Sequence, residues 1–150
     1  CQNSAAPALP ATSQEGITGT WSPNTITTTA DGTFTFNFTP NDPTQCAIPT
    51  TIDVTINALP VIVVNSETIC SGDDFATLVA SGAVTYSWSP ATDLDTTVGD
   101  TVIASPDNTG ATQITVTYTV TGTDANGCEN TATSTVTVNP TPQTSPIFHN

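Results

Sequence analysis

Apolar and polar residues alternate with a period of two along much of this chain. Phe34, Phe36 and Phe38 are separated by Thr35 and Asn37, and Ile52, Val54 and Ile56 by Asp53 and Thr55. Further on, Ile114, Val116, Tyr118 and Val120 are spaced by Thr115, Thr117 and Thr119. Successive side chains of a strand point to opposite faces, so this alternation predicts strands with one face in a core and threonine toward water. Residues 61–64, 75–79, 84–88 and 131–138 read the same way. Clusters of Pro, Gly, Asn and Asp break the runs at short intervals, and Asp124-Ala125-Asn126-Gly127 is a tight-turn signal. The pattern predicts an all-β, antiparallel sandwich architecture with almost no helix.

The pattern also repeats, and repeats decide architecture. Cys46-Ala-Ile-Pro-Thr-Thr-Ile-Asp-Val-Thr-Ile-Asn57 has the spacing of Cys128-Glu-Asn-Thr-Ala-Thr-Ser-Thr-Val-Thr-Val-Asn139. Val54 matches Val136, Ile56 matches Val138, and a proline follows each Asn (Pro60, Pro140). Upstream, Thr20-Trp21-Ser22-Pro23 matches Ser87-Trp88-Ser89-Pro90, and further upstream stand Cys1 and Cys70. Two small domains are expected, residues 1–57 and 58–140, followed by a tail, residues 141–150.

Composition narrows the function. Threonine supplies 34 of 150 residues, and Met is absent; β-branched residues favour strands over helices. There is no Lys or Arg against thirteen Asp plus Glu, for a net charge of −13 and a pI near 4.1. Such a chain cannot neutralise phosphates, which argues against nucleic-acid binding and against attraction to anionic membranes. Salt bridges to Lys or Arg, Lys–Asn isopeptide crosslinks and trypsin-type cleavage are excluded with them. Only 9% of residues are charged and 36% are hydrophobic, unlike a disordered chain. No apolar run reaches the ~20 residues of a membrane span, so no direct membrane insertion is expected. The chain opens on Cys1 without an initiator Met, which suggests a processed product or a part of something longer. Four cysteines without metal-type spacing read as two disulfides and hence an extracellular, oxidising setting.

Cys…Trp…Cys resembles the immunoglobulin-type core, in which a disulfide joins two sheets beside a buried Trp. On that resemblance, and because this connectivity alone keeps each bridge inside one repeat, the expected pairs are Cys1–Cys46 and Cys70–Cys128. Each would close a loop worth about 4 kcal/mol. Trp21 and Trp88 are expected as core residues over these bridges. The fold class is therefore two tandem immunoglobulin-like β-sandwiches.

The second repeat has an apolar strand before Cys70, whereas nothing precedes Cys1. The tail after Asn139 has the length that such a strand needs, with Pro146, Ile147 and Phe148 as its contact residues; proline confines it to an edge. The first domain is thus expected to be completed by a tail strand of an adjacent repeat or subunit. The partner is then the chain itself, as a head-to-tail homopolymer or a covalent tandem array. A linker role for the tail is the plainer alternative.

Several phrases strengthen this picture: Ala8-Leu9-Pro10, Gly16-Ile-Thr-Gly-Thr-Trp-Ser-Pro23, Tyr86-Ser-Trp-Ser-Pro90, Val120-Thr-Gly-Thr-Asp-Ala-Asn-Gly-Cys128 and Val136-Thr-Val-Asn-Pro140. Together they resemble the Ig-like and PKD-like repeats of very large surface proteins of gliding Bacteroidota. The resemblance spans nearly the whole chain and implies a type IX-secreted, cell-surface adhesin or filament. It implies no catalytic residues.

The residues themselves point the same way: no nucleophile has an activating base other than a carboxylate, and no hydrolase or metalloprotease motif occurs. No enzyme activity and no obligatory cofactor is expected. Asp93, Asp95 and Asp100, with Asp73 and Asp74 nearby, are a weak Ca²⁺ candidate. Thr96 and Thr101, in Asp-Thr-x contexts, are candidate O-glycosylation sites. Asn37-Phe38-Thr39 is a formal sequon, and His149 lacks neighbouring ligands. The competing function is a carbohydrate- or calcium-binding module on a secreted enzyme, in which exposed aromatics would meet surface glycans. A third is lipid anchoring through an acylated Cys1.

Overall fold

The computed structural model describes residues 1–72 and 74–141. The chain divides between Leu59 and Pro60 into two compact units, two residues beyond the expected boundary. Both are built from strands. The only helical element among the described residues is a single 3-10 turn, Pro43–Gln45, held by the Asp42 carboxylate accepting the Thr44 N–H at 2.8 Å.

The first unit contains one antiparallel sheet. Strands β1 (Gly19–Ser22), β2 (Gly32–Pro40) and β3 (Thr50–Ile56) lie in the order β1-β2-β3. The phenylalanine alternation in β2 sets its register: Phe38 lies opposite Trp21, Phe36 opposite Ile52 and Phe34 opposite Val54. Phe36, Phe38 and Ile56 are buried. The Trp21 and Phe38 rings meet at 5.1 Å between centroids. Gly19 is required beside them, since a Cβ there would run into the Phe38 ring and the Thr39 carbonyl.

The second unit has two sheets. One runs β5-β10-β9-β7 and the other β4-β6-β8. Here β4 is Val63–Val64, β5 Glu67–Cys70, β6 Ala76–Ser81 and β7 Thr85–Ser89; β8 is Thr101–Ala104, β9 Ile114–Thr123 and β10 Glu129–Asn139. Their alternate residues converge on one apolar core that includes Ile69, Leu78, Trp88, Val102, Tyr118 and Val138. Two sheets sharing a core are compatible with a β-sandwich.

Between β4 and β5 the chain leaves one sheet for the other, and Asn65 makes the crossing possible. Its side chain accepts from Val79 N at 2.7 Å and donates to the Thr77 carbonyl at 2.9 Å, satisfying β6 where β4 departs. Its own carbonyl accepts the buried Ser134 hydroxyl at 2.6 Å.

Cys1 and Cys128 are disulfide-bonded, whereas Cys46 and Cys70 are exposed free thiols. The expected pairs Cys1–Cys46 and Cys70–Cys128 are therefore corrected, and strand geometry gives the reason. Cys70 lies beside Asn139, at the end of β10, while Cys128 precedes the start of that 11-residue strand. At ~3.3 Å per residue the two stand roughly 35 Å apart, far beyond the ~7 Å that a disulfide allows between Cα atoms. In the first unit, Gln2 is hydrogen-bonded to Asn57 beyond the end of β3, and Cys46 precedes its start. Cysteines flanking one edge strand cannot bridge along it.

Candidate functional site

The two units share a three-stranded motif, so each serves as a reference for the other. By the sequence repeat β1 and β3 correspond to β7 and β10, and β2 and β9 take the same place between them. Finer details also recur. Gln2 N donates to the Asn57 carbonyl at 2.8 Å, and Ser71 N donates to the Asn139 carbonyl at 2.8 Å. The next residue in each has a positive φ: Asn3 at 62° and Gly72 at 114°, a region open mainly to Gly and Asn. Both Trp-Ser-Pro segments carry a cis Ser-Pro bond. Cys1 and Cys70 thus stand at equivalent places beside the last residue of the repeat.

The units differ at the outer edge of the last strand. In the second, β5 lies parallel to β10, with Glu67 opposite Val136, Ile69 opposite Val138 and Cys70 opposite Asn139. In the first, β3 ends the sheet, and the described residues place no strand along its outer side. Burial follows this difference. Ser134, Val136 and Val138 are each 0% exposed. Their counterparts are Ile52 at 39%, Val54 half-buried and Ile56 at 6%. Projecting the β5 register onto the first unit, a strand running into Cys1 would lie parallel to residues 54–56. Outward-facing groups on β3 are polar: Thr55 is hydrogen-bonded to Thr33 at 3.1 Å, and the Asp53 carboxylate accepts from Thr35 at 2.6 Å.

The remaining candidates separate. Trp88 is 4% exposed and donates its ring N–H to the Gly99 carbonyl at 2.9 Å, so it is a core residue without the disulfide expected beside it. Trp21 is half-buried and donates to the Pro10 carbonyl at 2.8 Å; with Phe38, Pro10 and Thr50 it walls a small cavity of about 150 Å³. Asp93, Asp95 and Asp100 are not gathered into a cation site: the described residues hold no cluster of three potential metal ligands. The Asp95 carboxylate is instead occupied by the N–H groups of Thr96 and Ile103, at 2.8 and 2.7 Å. The Thr96 hydroxyl is taken up by a local turn with Val98, whereas Thr101 is exposed. Asn37 is exposed. Pro146, Ile147, Phe148, His149 and Asp73 lie outside the described residues.

Two groups have shifted acidities in the loops. Asp124 lies below the usual carboxylate range because its carboxylate accepts the Cys128 N–H and also that of Asn126. Burial, and then the Asp93 charge, push the Tyr118 phenol upward; its buried hydroxyl has no hydrogen-bond partner among the described residues.

Sequence reasoning missed the cysteine pairing and the role of Asn65. The Gln2–Asn57 and Ser71–Asn139 ties have a signal: in each repeat a Cys is followed by a turn, and an Asn ends the later strand. No protein-family model matches the chain, and no curated protein matches it either.

Proposed function

We propose that the chain is the structural repeat of an extracellular cell-surface filament or adhesin stalk, polymerising head to tail. The role is non-catalytic: to span distance and bear force. The second unit is read as an immunoglobulin-like sandwich; the first, whose described strands form one sheet, is read as a partial unit of the same kind, its β3 edge completed by a strand from the residue 141–150 tail of another copy. The observation that carries this reading is the pair of matching hydrogen bonds at Asn57 and Asn139. They put Cys1 at the mouth of an edge that no described strand covers, in the place where Cys70 closes one that β5 covers. Strand addition of this kind supplies main-chain hydrogen bonds for affinity and side-chain pockets for specificity. It would also cover Ile52, whose exposure has no counterpart in the second unit, and remove an edge open to indiscriminate pairing. The glycan-binding alternative has less support, since Trp88 is buried and the Trp21 ring nitrogen is engaged. Calcium has less still, with Asp95 spent on backbone.

The test is deletion of residues 141–150, followed by light scattering. The deleted protein should remain monomeric while the full chain assembles, and a synthetic peptide of residues 140–150 should bind it and raise its unfolding midpoint. Assembly undiminished by the deletion would overturn the proposal. On a denaturing gel, native assemblies built by strand donation would give chains of the single-repeat mass, and a covalent array a very high mass.

A further inference from the structure

The four cysteines fall into two positional kinds. Cys1 and Cys70 close the outer edge of the last strand, at Asn57 and Asn139. Cys46 and Cys128 stand in the connections that lead into β3 and β10. Within one unit the two kinds are a strand length apart, farther than a disulfide spans. One cysteine of each kind, Cys1 and Cys128, is disulfide-bonded. The two left over, Cys70 and Cys46, are again one of each kind, and both are exposed thiols.

We infer that Cys70 of one copy forms a disulfide with Cys46 of the next. This rests on the head-to-tail reading above. In that arrangement the tail of one copy runs into the first unit of the next, so the second unit of one copy is followed by the first unit of another. The donated tail leaves its own unit just after Asn139, beside Cys70, and, lying parallel to β3, enters the next unit at the start of that strand, just after Cys46. The reaction is an exchange. Each thiol gives up its proton, one sulfur–sulfur bond forms between Cys70 and Cys46, and two electrons pass to an oxidised low-molecular-weight disulfide. That disulfide's own bond breaks, and its two sulfurs take up the protons as thiols.

The test uses the full chain, half of it ¹⁵N-labelled, assembled in buffer with oxidised glutathione, alkylated and digested with pepsin. Mass spectrometry should find Cys46–Cys70 peptides, about half carrying one light and one heavy partner, and dithiothreitol should abolish them. Electron microscopy of the same sample reports whether assembly occurred. Filaments whose Cys46 and Cys70 are both alkylated, or linked only within one isotope, would overturn the disulfide while leaving the polymer reading intact. If no filaments form, both fall. A Cys46→Ser variant should still assemble, but into filaments that fall to single chains in non-reducing detergent.

Discussion

The first and second units contain the same three-strand motif, yet they are finished differently. In the second, β10 is covered by β5 on one side and shares its core with the β4-β6-β8 sheet, and its Ser134, Val136 and Val138 are wholly buried. In the first, two of the equivalent residues on β3, Ile52 and Val54, stay partly in water, with three buried hydrophobic side chains in the whole unit. The comparison shows that alternation encodes which face of a strand is apolar, but not whether a neighbour arrives to cover it. A unit that small has little core from which to draw stability, so its completion is expected to come from elsewhere.

Substitutions can break the comparison. The largest effect is expected from Trp88→Ala, which empties the sealed core of the second unit at a cost of about 3–5 kcal/mol. Trp21→Ala at the matching position should cost no more than about half of that, because its ring is half exposed already. Urea unfolding of the single chains measures both, and equal losses would mean that the first unit is as well packed as the second. Next is Asn65→Ala, which strips two partners from β6; leaving them unsatisfied should cost about 1–3 kcal/mol. Asn65→Asp should be intermediate, since it keeps the acceptor for Val79 N–H but loses the donor to Thr77.

Acid provides a smaller test. The folded-state acidity of Asp124 is strengthened by its N–H partners, relative to an ordinary value of 3.8. A depressed folded pKa contributes stability above the unfolded value, and that contribution disappears as pH falls through the folded one. The urea midpoint should therefore decline below about pH 4, and Asp124→Asn should flatten that decline without altering the neutral value much. Smallest is Tyr118→Phe. Removing a buried hydroxyl without a protein partner should leave stability unchanged or raise it by up to about 1 kcal/mol. A loss beyond about 1 kcal/mol would show that the hydroxyl is satisfied.

Much of the fold was legible in the sequence because it depends on period-two patterning. The β2, β3, β9 and β10 alternations and the turn at Asp124 follow from residues in sequence order. The disulfides did not follow, because pairing depends on which ends of β3 and β10 the cysteines occupy, and Cys…Trp…Cys spacing is silent about direction along a strand. Nor did the strand switch at Asn65, where one amide side chain replaces a ladder partner. The carboxylates of Asp93, Asp95 and Asp100, close in sequence, are turned to different tasks by backbone N–H groups that no composition reveals.

Amide hydrogen exchange at the two equivalent edges tests the central claim most directly. It should be measured on dispersed chains and on assembled material. Strand donation requires the outward amides of residues 54–57 to slow by about 100-fold or more on assembly, toward the protection of residues 136–139, which should not change. Exchange at residues 54–57 that stays the same in both states would contradict it.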